Sequence, residues 1–210
     1  MINSLTTALQ PLALALSANQ QQQLLIYLDQ LEKWNKAYNL TAIRDRHKMI
    51  SHHIVDSLML LPYLTGASLI DIGTGAGLPG IPLAITRPAL SVNLLDSNGK
   101  KCRFLTHIRQ VLQLNNTQIF HQRVEQHNNQ YDLVTARAVA SLRQLWQWAQ
   151  PLLSPNGKLL AMKGQLPQAE ISDLHRHHSV DVEVHPLTLL AQDPAKRHVV
   201  AISAQTTVSD

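Results

Sequence analysis

The chain has 210 residues, 45% of them apolar and 15% charged, and 18 lysines and arginines against 14 acids leave a formal charge of +4. That is too apolar and too weakly charged for a disordered chain, and no apolar run approaches the roughly 20 residues of a membrane span. One cysteine, Cys102, excludes an intramolecular disulfide framework and any cysteine-based structural zinc site.

The N-terminal part reads as helices. Leu5, Leu9, Leu12 and Leu16 recur at helical spacing, interrupted by Pro11. Asn19 is placed to cap a second helix on which Leu24, Leu28 and Leu31 share a face. A third helix is predicted over 45–61, with Ile50, Ile54, Leu58 and Leu61 on one stripe and Pro62 just past its end. After Gly66 the period changes. Short apolar strands are predicted over 68–72, 91–95, 117–121, 131–135 and 158–162, with helices over 99–114, 141–153 and 167–177 and a turn at Pro155-Asn156-Gly157. Late strands are predicted over 180–184 and 198–203, the last of them antiparallel. Strands alternating with helices at this spacing predict an α/β fold, a doubly wound, mostly parallel sheet with helices on both faces. The expected division is an N-terminal helical extension at 1–64, a sheet domain at 65–205 and a frayed polar tail at 206–210. The start of the chain lacks a basic stretch followed by an apolar core, so a cytoplasmic, reducing setting is expected. The mild positive charge permits a polyanionic partner without requiring one.

The strongest local signal is Leu69-Ile70-Asp71-Ile72-Gly73-Thr74-Gly75-Ala76-Gly77-Leu78-Pro79-Gly80. A buried strand runs into a loop with glycine at alternate positions, and Pro79 suits the first turn of a following helix. Glycine is needed where the backbone turns with positive φ or lies against a ligand with no Cβ in the way. Asp96 ends the second strand, 23 residues after Gly73, and a carboxylate there can accept both ribose hydroxyls of an adenosine. A dinucleotide loop wants G-x-G-x-x-G. Here the third glycine comes one residue early, at Gly77, and Leu78 takes the dinucleotide position, so NAD is the weaker reading. The D-x-G-x-G-x-G pattern of Asp71, Gly73, Gly75 and Gly77 resembles motif I of the Rossmann-like class I methyltransferases, whose cofactor is S-adenosylmethionine.

Further segments narrow the resemblance. In order they are Lys33-Trp34-Asn35-Lys36-Ala37-Tyr38-Asn39-Leu40-Thr41, His53-Ile54-Val55-Asp56-Ser57, the glycine loop with Leu78-Pro79-Gly80, Leu95-Asp96-Ser97 with Lys100, Arg123-Val124-Glu125, Ala136-Arg137-Ala138, Lys163-Gly164-Gln165 and Arg197-His198. Together they resemble the RsmG (GidB) family of bacterial small-subunit ribosomal RNA guanine-N7 methyltransferases, and the match runs to about Ser203. The glycine loop alone identifies only a superfamily; the K-W-N-K-x-Y-N-L-T block and G-x-G-L-P-G are more specific. One departure is His52, where the family often has arginine directly before the histidine of its H-I-x-D-S block. Arg44, Arg46 and Lys48 are placed to compensate. The resemblance implies that Gly73 and Leu78 contact the cofactor, that Val124 and Glu125 flank its adenine, and that Arg137 reaches into the site. It also implies the small ribosomal subunit, with its 16S rRNA, as partner; neither DNA nor a membrane surface is expected, and a monomer is expected.

Methyl transfer from a sulfonium is an in-line displacement, and guanine N7 carries a free lone pair. The protein then has mainly to position the reactants, and no general base is expected. The N/D-P-P-Y/F motif of exocyclic-amine methyltransferases is absent from the sequence. Cys102 falls on the predicted helix after Asp96, as a small helix residue and not a pyrimidine nucleophile. Arg137, at the end of the fourth strand, is expected to donate to the cofactor carboxylate or to guanine O6. Arg123, Lys163 and Arg197 fall beside strand ends and are candidate RNA-phosphate or guanine contacts. His53, Asp56 and the block 35–41 precede the sheet, as a lid, part of the RNA surface or a packed helical cap. His175, His177 and His178 lack the acids or cysteines of a metal site, and no metal is expected. Phosphate neutralisation supplies most non-specific RNA affinity, so a charge of only +4 favours an assembled subunit over naked rRNA. Two other functions stay open on the same fold: a small-molecule methyltransferase, and a non-catalytic, cofactor-sensing RNA-binding or assembly protein.

Overall fold

A computed structural model describes residues 2–137, 139–187 and 197–205. The expected tail at 206–210, and Ala138 of the Arg137 segment, lie outside the described residues. The sheet has seven strands: β1 (Ser68–Ile72), β2 (Ser91–Asp96), β3 (Thr117–His121), β4 (Tyr131–Arg137), β5 (Leu153–Lys163), β6 (Val180–Leu187) and β7 (Arg197–Ala204). Their order is β3-β2-β1-β4-β5-β7-β6. β1 to β5 pair in parallel, and β7 runs antiparallel to both β5 and β6. The α/β, doubly wound sheet with an antiparallel last strand is therefore as expected. The strand order reverses between β1 and β4, and ligands of open α/β sheets bind at that switch point, beyond the carboxyl ends of the strands.

Register sets which side chains meet at that edge. Asp71 pairs with Thr135, Asp96 with His121, Arg137 with Met162, and Lys163 with His198. The antiparallel turn of β7 brings Arg197, at its start, to the edge where the parallel strands end.

The helices are α1 (Ile2–Leu9), α2 (Ala18–Tyr38), α3 (Arg46–Met49), α4 (Asp56–Leu58), α5 (Gly80–Thr86), α6 (Gly99–Val111), α7 (Leu142–Ala149) and α8 (Gln168–His177). Several boundaries differ from the sequence expectation. Ser17, and not Asn19, caps α2, because a capping box pairs the Ser17 side chain with the Gln20 amide and the Gln20 side chain with the Ser17 amide. The helix expected over 45–61 is broken into α3, a π-helical turn at Ile50–Val55, and α4. Pro155-Asn156-Gly157 is no turn but part of β5. Pairing jumps from Tyr131–Leu153 to Leu133–Lys158, so the segment bulges out of the ladder. Gly157 allows this because a Cβ there would lie 3.0 Å from the Tyr131 carbonyl oxygen and 3.1 Å from that of Asp132.

Two apolar clusters cover the faces of the sheet. One contains Ile70, Ile72, Val134, Trp146, Leu159 and Val200. The other joins Leu5, Leu24, Leu28, Leu31, Ile54 and Leu58 of the N-terminal helices to Leu69, Val92, Leu94, Ile81 and Leu105. The N-terminal helices thus form part of one face of the core. Among the described residues no helix is long and apolar enough to cross a membrane. Leu28 is fully buried in the shared cluster. Leu28→Ala should lower the stability of the whole chain by about 2–5 kcal/mol, read as an earlier midpoint in one denaturant transition. Two separate transitions, with only the first shifted, would show instead that the extension unfolds by itself.

Candidate active site

The loop after β1 is organised by Asp71, which is fully buried. Its Oδ2 accepts the Thr74 hydroxyl at 2.6 Å and the Gly80 amide at 2.9 Å. Its Oδ1 is buried with no hydrogen-bond partner among the described residues. Burial pushes the carboxyl up to about 7, against the pull of those two bonds and of the Arg137 charge. Gly73, Gly75 and Gly77 all have positive φ. A Cβ on Gly75 would meet nothing nearer than 3.9 Å, so nothing packs tightly against that position. A Cβ on Gly77 would strike Ile81 and stand 2.8 Å from Leu105. Gly73 and Gly75 thus line the cleft, while Gly77 makes room for packing behind it and Asp71 holds the loop from below.

Asp96 closes the loop from the neighbouring strand. Its Oδ2 accepts the Gly75 amide at 2.9 Å and stands 3.4 Å from Lys101 Nζ, and its Oδ1 accepts the Asn98 amide at 2.8 Å. Cys102 lies behind it, its thiol directed at the Asp96 carbonyl at 3.3 Å, and burial raises its pKa. A buried thiol of this kind is a packing residue.

Three clefts open along this edge. The first, about 150 Å³, is walled by Asp96, Ser97, Arg123, Val124, Glu125 and Trp148. The second, about 430 Å³, runs over the glycine loop, Leu78 and Lys101, under Leu40 and Thr41. They share Gly73, Asp96, Ser97 and Val139. The third, about 360 Å³, is lined by His52, His53, Asp56, Lys163, Arg197 and His198, among others. Arg137 borders both the second and the third.

Sequence reasoning expected Arg123, Lys163 and Arg197 beside strand ends, as candidate RNA-phosphate or guanine contacts. Arg197 is there, its Nε 2.9 Å from Asp56 Oδ1. Lys163 lines the same cleft, but its ammonium is bound to the Ala140 carbonyl and to Glu170, both at 2.8 Å, so it braces the wall. Arg123 is exposed at the first cleft, away from Arg137. Arg46 does not compensate for His52, because it is paired to Asp29 and Glu32 of α2. The block 35–41 carries Leu40 and Thr41 to the cleft mouth. Asn35 Oδ1 accepts the Thr41 amide at 2.9 Å, and Asn39 takes the left-handed conformation that ends α2. His53 Nε2 is 2.9 Å from the Thr41 hydroxyl. Burial, then the Arg137 charge, pull the His53 pKa down to about 4. Sequence reasoning missed Tyr27, whose hydroxyl donates to the Ala76 carbonyl at 2.9 Å under the loop. Its only signal was an aromatic residue on the apolar face of α2. It also missed Lys101 and Trp148. His177 bonds the Asp173 carbonyl at 2.8 Å, and among the described residues no group of three or more His, Cys, Asp or Glu could hold a metal ion.

The first two clefts fit an adenosine carrying an amino-acid tail. Together they have the volume of a ligand pocket, an apolar wall at Val124, a carboxylate at their junction, and no side chain packed tightly against Gly75. For Asp71, the native carboxyl binds a proton more tightly than the unfolded one. Stability referable to it therefore falls as pH rises from 3.8 to about 7. Asp71→Asn should gain stability relative to the parent across that interval and hold the gain above it, measured by chemical denaturation at several pH values. A difference flat in pH would mean that Asp71 is ionised throughout.

A family model described as rRNA small subunit methyltransferase G (GidB) matches residues 20–200. The chain is 49% identical over 196 residues to the ribosomal RNA small subunit methyltransferase G of Marinomonas sp. (strain MWYL1), covering 92% of this chain and 93% of that one. It is 43% identical over 206 residues to the protein of that name from Shigella dysenteriae serotype 1, covering 97% and 99%. Among solved structures, the glycopeptide N-methyltransferase MtfA complexed with S-adenosylmethionine aligns with a TM-score of 0.63 at 9% identity, covering 73% of this chain and 88% of that one. The ribosomal protein L11 methylase of Lactobacillus delbrueckii subsp. bulgaricus aligns with a TM-score of 0.59 at 14% identity, covering 79% and 90%. These two show the same fold, that of the class I methyltransferases. With the fold, the glycine loop and the strand-end carboxylate in place, the chain belongs to the rRNA small subunit methyltransferase G family of S-adenosylmethionine-dependent enzymes.

Proposed function

We propose that the protein transfers the methyl group of S-adenosylmethionine to N7 of a guanine in 16S rRNA, with the cofactor across the first two clefts and the base in the third. The observation that carries this reading is Arg137, the basic residue that borders both the glycine-loop cleft and the cleft of Asp56, Lys163 and Arg197. Val124 and Glu125 would flank the adenine, Asp96 the ribose, and Gly73, Gly75 and Leu78 the amino-acid tail. When bound, the cofactor supplies a methyl group already activated by its sulfonium charge.

The residues of the third cleft have no proton to remove from N7, and they are not arranged to remove one. His53, with a pKa near 4, is a weak base, and Asp56 is engaged by Arg197. Their contribution is position and exclusion of water. Arg137 keeps guanidinium donors beyond its bond to the His52 carbonyl for guanine O6 or the cofactor carboxylate. A charge of +4 supports the assembled subunit as substrate, since its shape adds contacts that naked rRNA lacks. The target base has to be accessible or flipped out. We place the enzyme in the cytoplasm as a monomer without DNA or membrane partners, with 1–64 as an extension of the methyltransferase domain at 65–205.

Radiolabelled cofactor with small subunits, naked rRNA or a metabolite extract should label a guanine of the subunits. Label only in small metabolites overturns the rRNA assignment, and cofactor binding with no label overturns catalysis. Asp96→Ala should weaken cofactor binding about tenfold to a hundredfold by calorimetry, the worth of one or two hydrogen bonds to a charged acceptor. Unchanged affinity would remove Asp96 from the cofactor site.

A further inference from the structure

The helical run from Arg46 to Leu58 changes character in its middle, where Ile50–Val55 forms a π-helical turn. Such turns insert one extra residue, are rare, and are frequent at functional sites. Their effect is to change which carbonyl each amide serves. In an α-helix the Asp56 amide would bond the His52 carbonyl. Here it serves the Ser51 and His53 carbonyls. The His52 carbonyl accepts Nη1 of Arg137 at 3.0 Å, a partner 85 residues away in sequence. Two serine hydroxyls secure the turn on either side. Ser51 Oγ donates to the His47 and Lys48 carbonyls, both at 3.2 Å, and Ser57 Oγ to the His53 carbonyl at 2.5 Å. The turn also carries His53, held to Thr41, and leads into Asp56, held to Arg197.

We infer that this π-turn is a positioning element for methyl transfer: it directs the His52 carbonyl onto Arg137 and so fixes the guanidinium at the border between the cofactor cleft and the base cleft. The inference deepens the methyl-transfer reading and rests on it. A guanidinium is a rigid fork of five donors, so fixing one N–H to a carbonyl orients the whole plane and leaves the others for a ligand. Burial works against the Arg137 charge, with the Asp56 charge as the main opposing influence, so a fixed acceptor matters more than it would in water. The acceptor is a backbone atom. The side chain at position 52 is therefore not what supplies it.

Deleting Ser51 removes the extra residue and lets the run close as an α-helix. With small subunits as substrate, the deletion should lower kcat about tenfold or more, because a misplaced group loses its orienting effect. Cofactor affinity by calorimetry should fall by a smaller factor than kcat, since the turn meets that cleft through Thr41 and Arg137 while the glycine loop and Asp96 are held by other partners. Arg137→Lys should lower kcat by a similar factor. The double variant should be no slower than the slower single one, because both changes break the same contact. A folded deletion variant with full kcat, or losses that multiply, overturns the inference. A deletion variant that does not fold leaves a second measurement on the full-length chain. The carbonyl carbon resonance of a His52-labelled protein should move on Arg137→Lys, and an unmoved resonance overturns the inference. Failure of the parent reading is distinct: the unaltered protein then labels no subunit RNA, while the carbonyl resonance still reports the Arg137 contact.

Discussion

A carboxyl with no exposed surface holds tightly to whatever donors reach it, and at the end of β1 the two donors on Asp71 Oδ2 come from the two ends of the loop it precedes. Thr74 approaches from one side and Gly80 from the other, so the loop must rise over the carboxyl and return. The remaining amides then need acceptors at the edge of the sheet. Thr74 finds the Leu95 carbonyl at 3.1 Å and Gly75 finds Asp96, which ties the loop to the end of β2. Tyr27 holds Ala76 from beneath. The loop is thus set from several directions by groups of the protein itself, and a ligand entering it would meet a surface that needs little rearrangement.

The same demand explains why the N-terminal helices belong to the site. α2 supplies Tyr27, and its end supplies the turn that delivers Thr41 to the cleft. Asn39 can end the helix in the left-handed region because its short polar side chain tolerates that conformation. Thr41 reaches His53, and the turn bearing His53 reaches Arg137. Two apparently separate pieces of the molecule, one helical and one built on strands, therefore close the clefts between them. Their shared apolar cluster fixes the distance across which these polar contacts form.

Much of this was legible in the sequence where one local rule dominates. The strands at 68–72 and 117–121 have the expected ends because short apolar runs meet glycine or polar breaks there. Asp71, Gly73 and Asp96 fell at the sheet edge because each follows from strand length and loop chemistry, whereas Val124 was singled out only by the resemblance. What stayed hidden depends on partners distant in sequence. Pro155-Asn156-Gly157 has turn composition, yet the nearness of the β4 backbone absorbs it into a bulged strand. Lys163 was expected to be free for phosphate, but Glu170 on α8 comes close enough to claim it. The π-turn leaves no periodicity of its own, since apolar residues at Ile50, Ile54 and Leu58 suit a plain α-helix equally well.

The distribution of charge follows the same logic. Arg46 is held by Asp29 and Glu32, Lys101 by Asp96, Lys163 by Glu170, Arg143 and Arg176 by Asp173, and Arg197 by Asp56. Each pair orients a basic side chain but also cancels its field, so a protein of +4 exerts little long-range pull on a polyanion. Arg137 is arranged differently. Its hydrogen bond goes to a backbone carbonyl, while the Asp56 charge favours its charged form. The low overall charge is therefore compatible with a strong local one, placed where the two clefts meet. In the proposed reaction, selectivity would come from what fits against Arg137 once the substrate has arrived, and arrival would depend on the shape of the substrate surface more than on attraction from a distance.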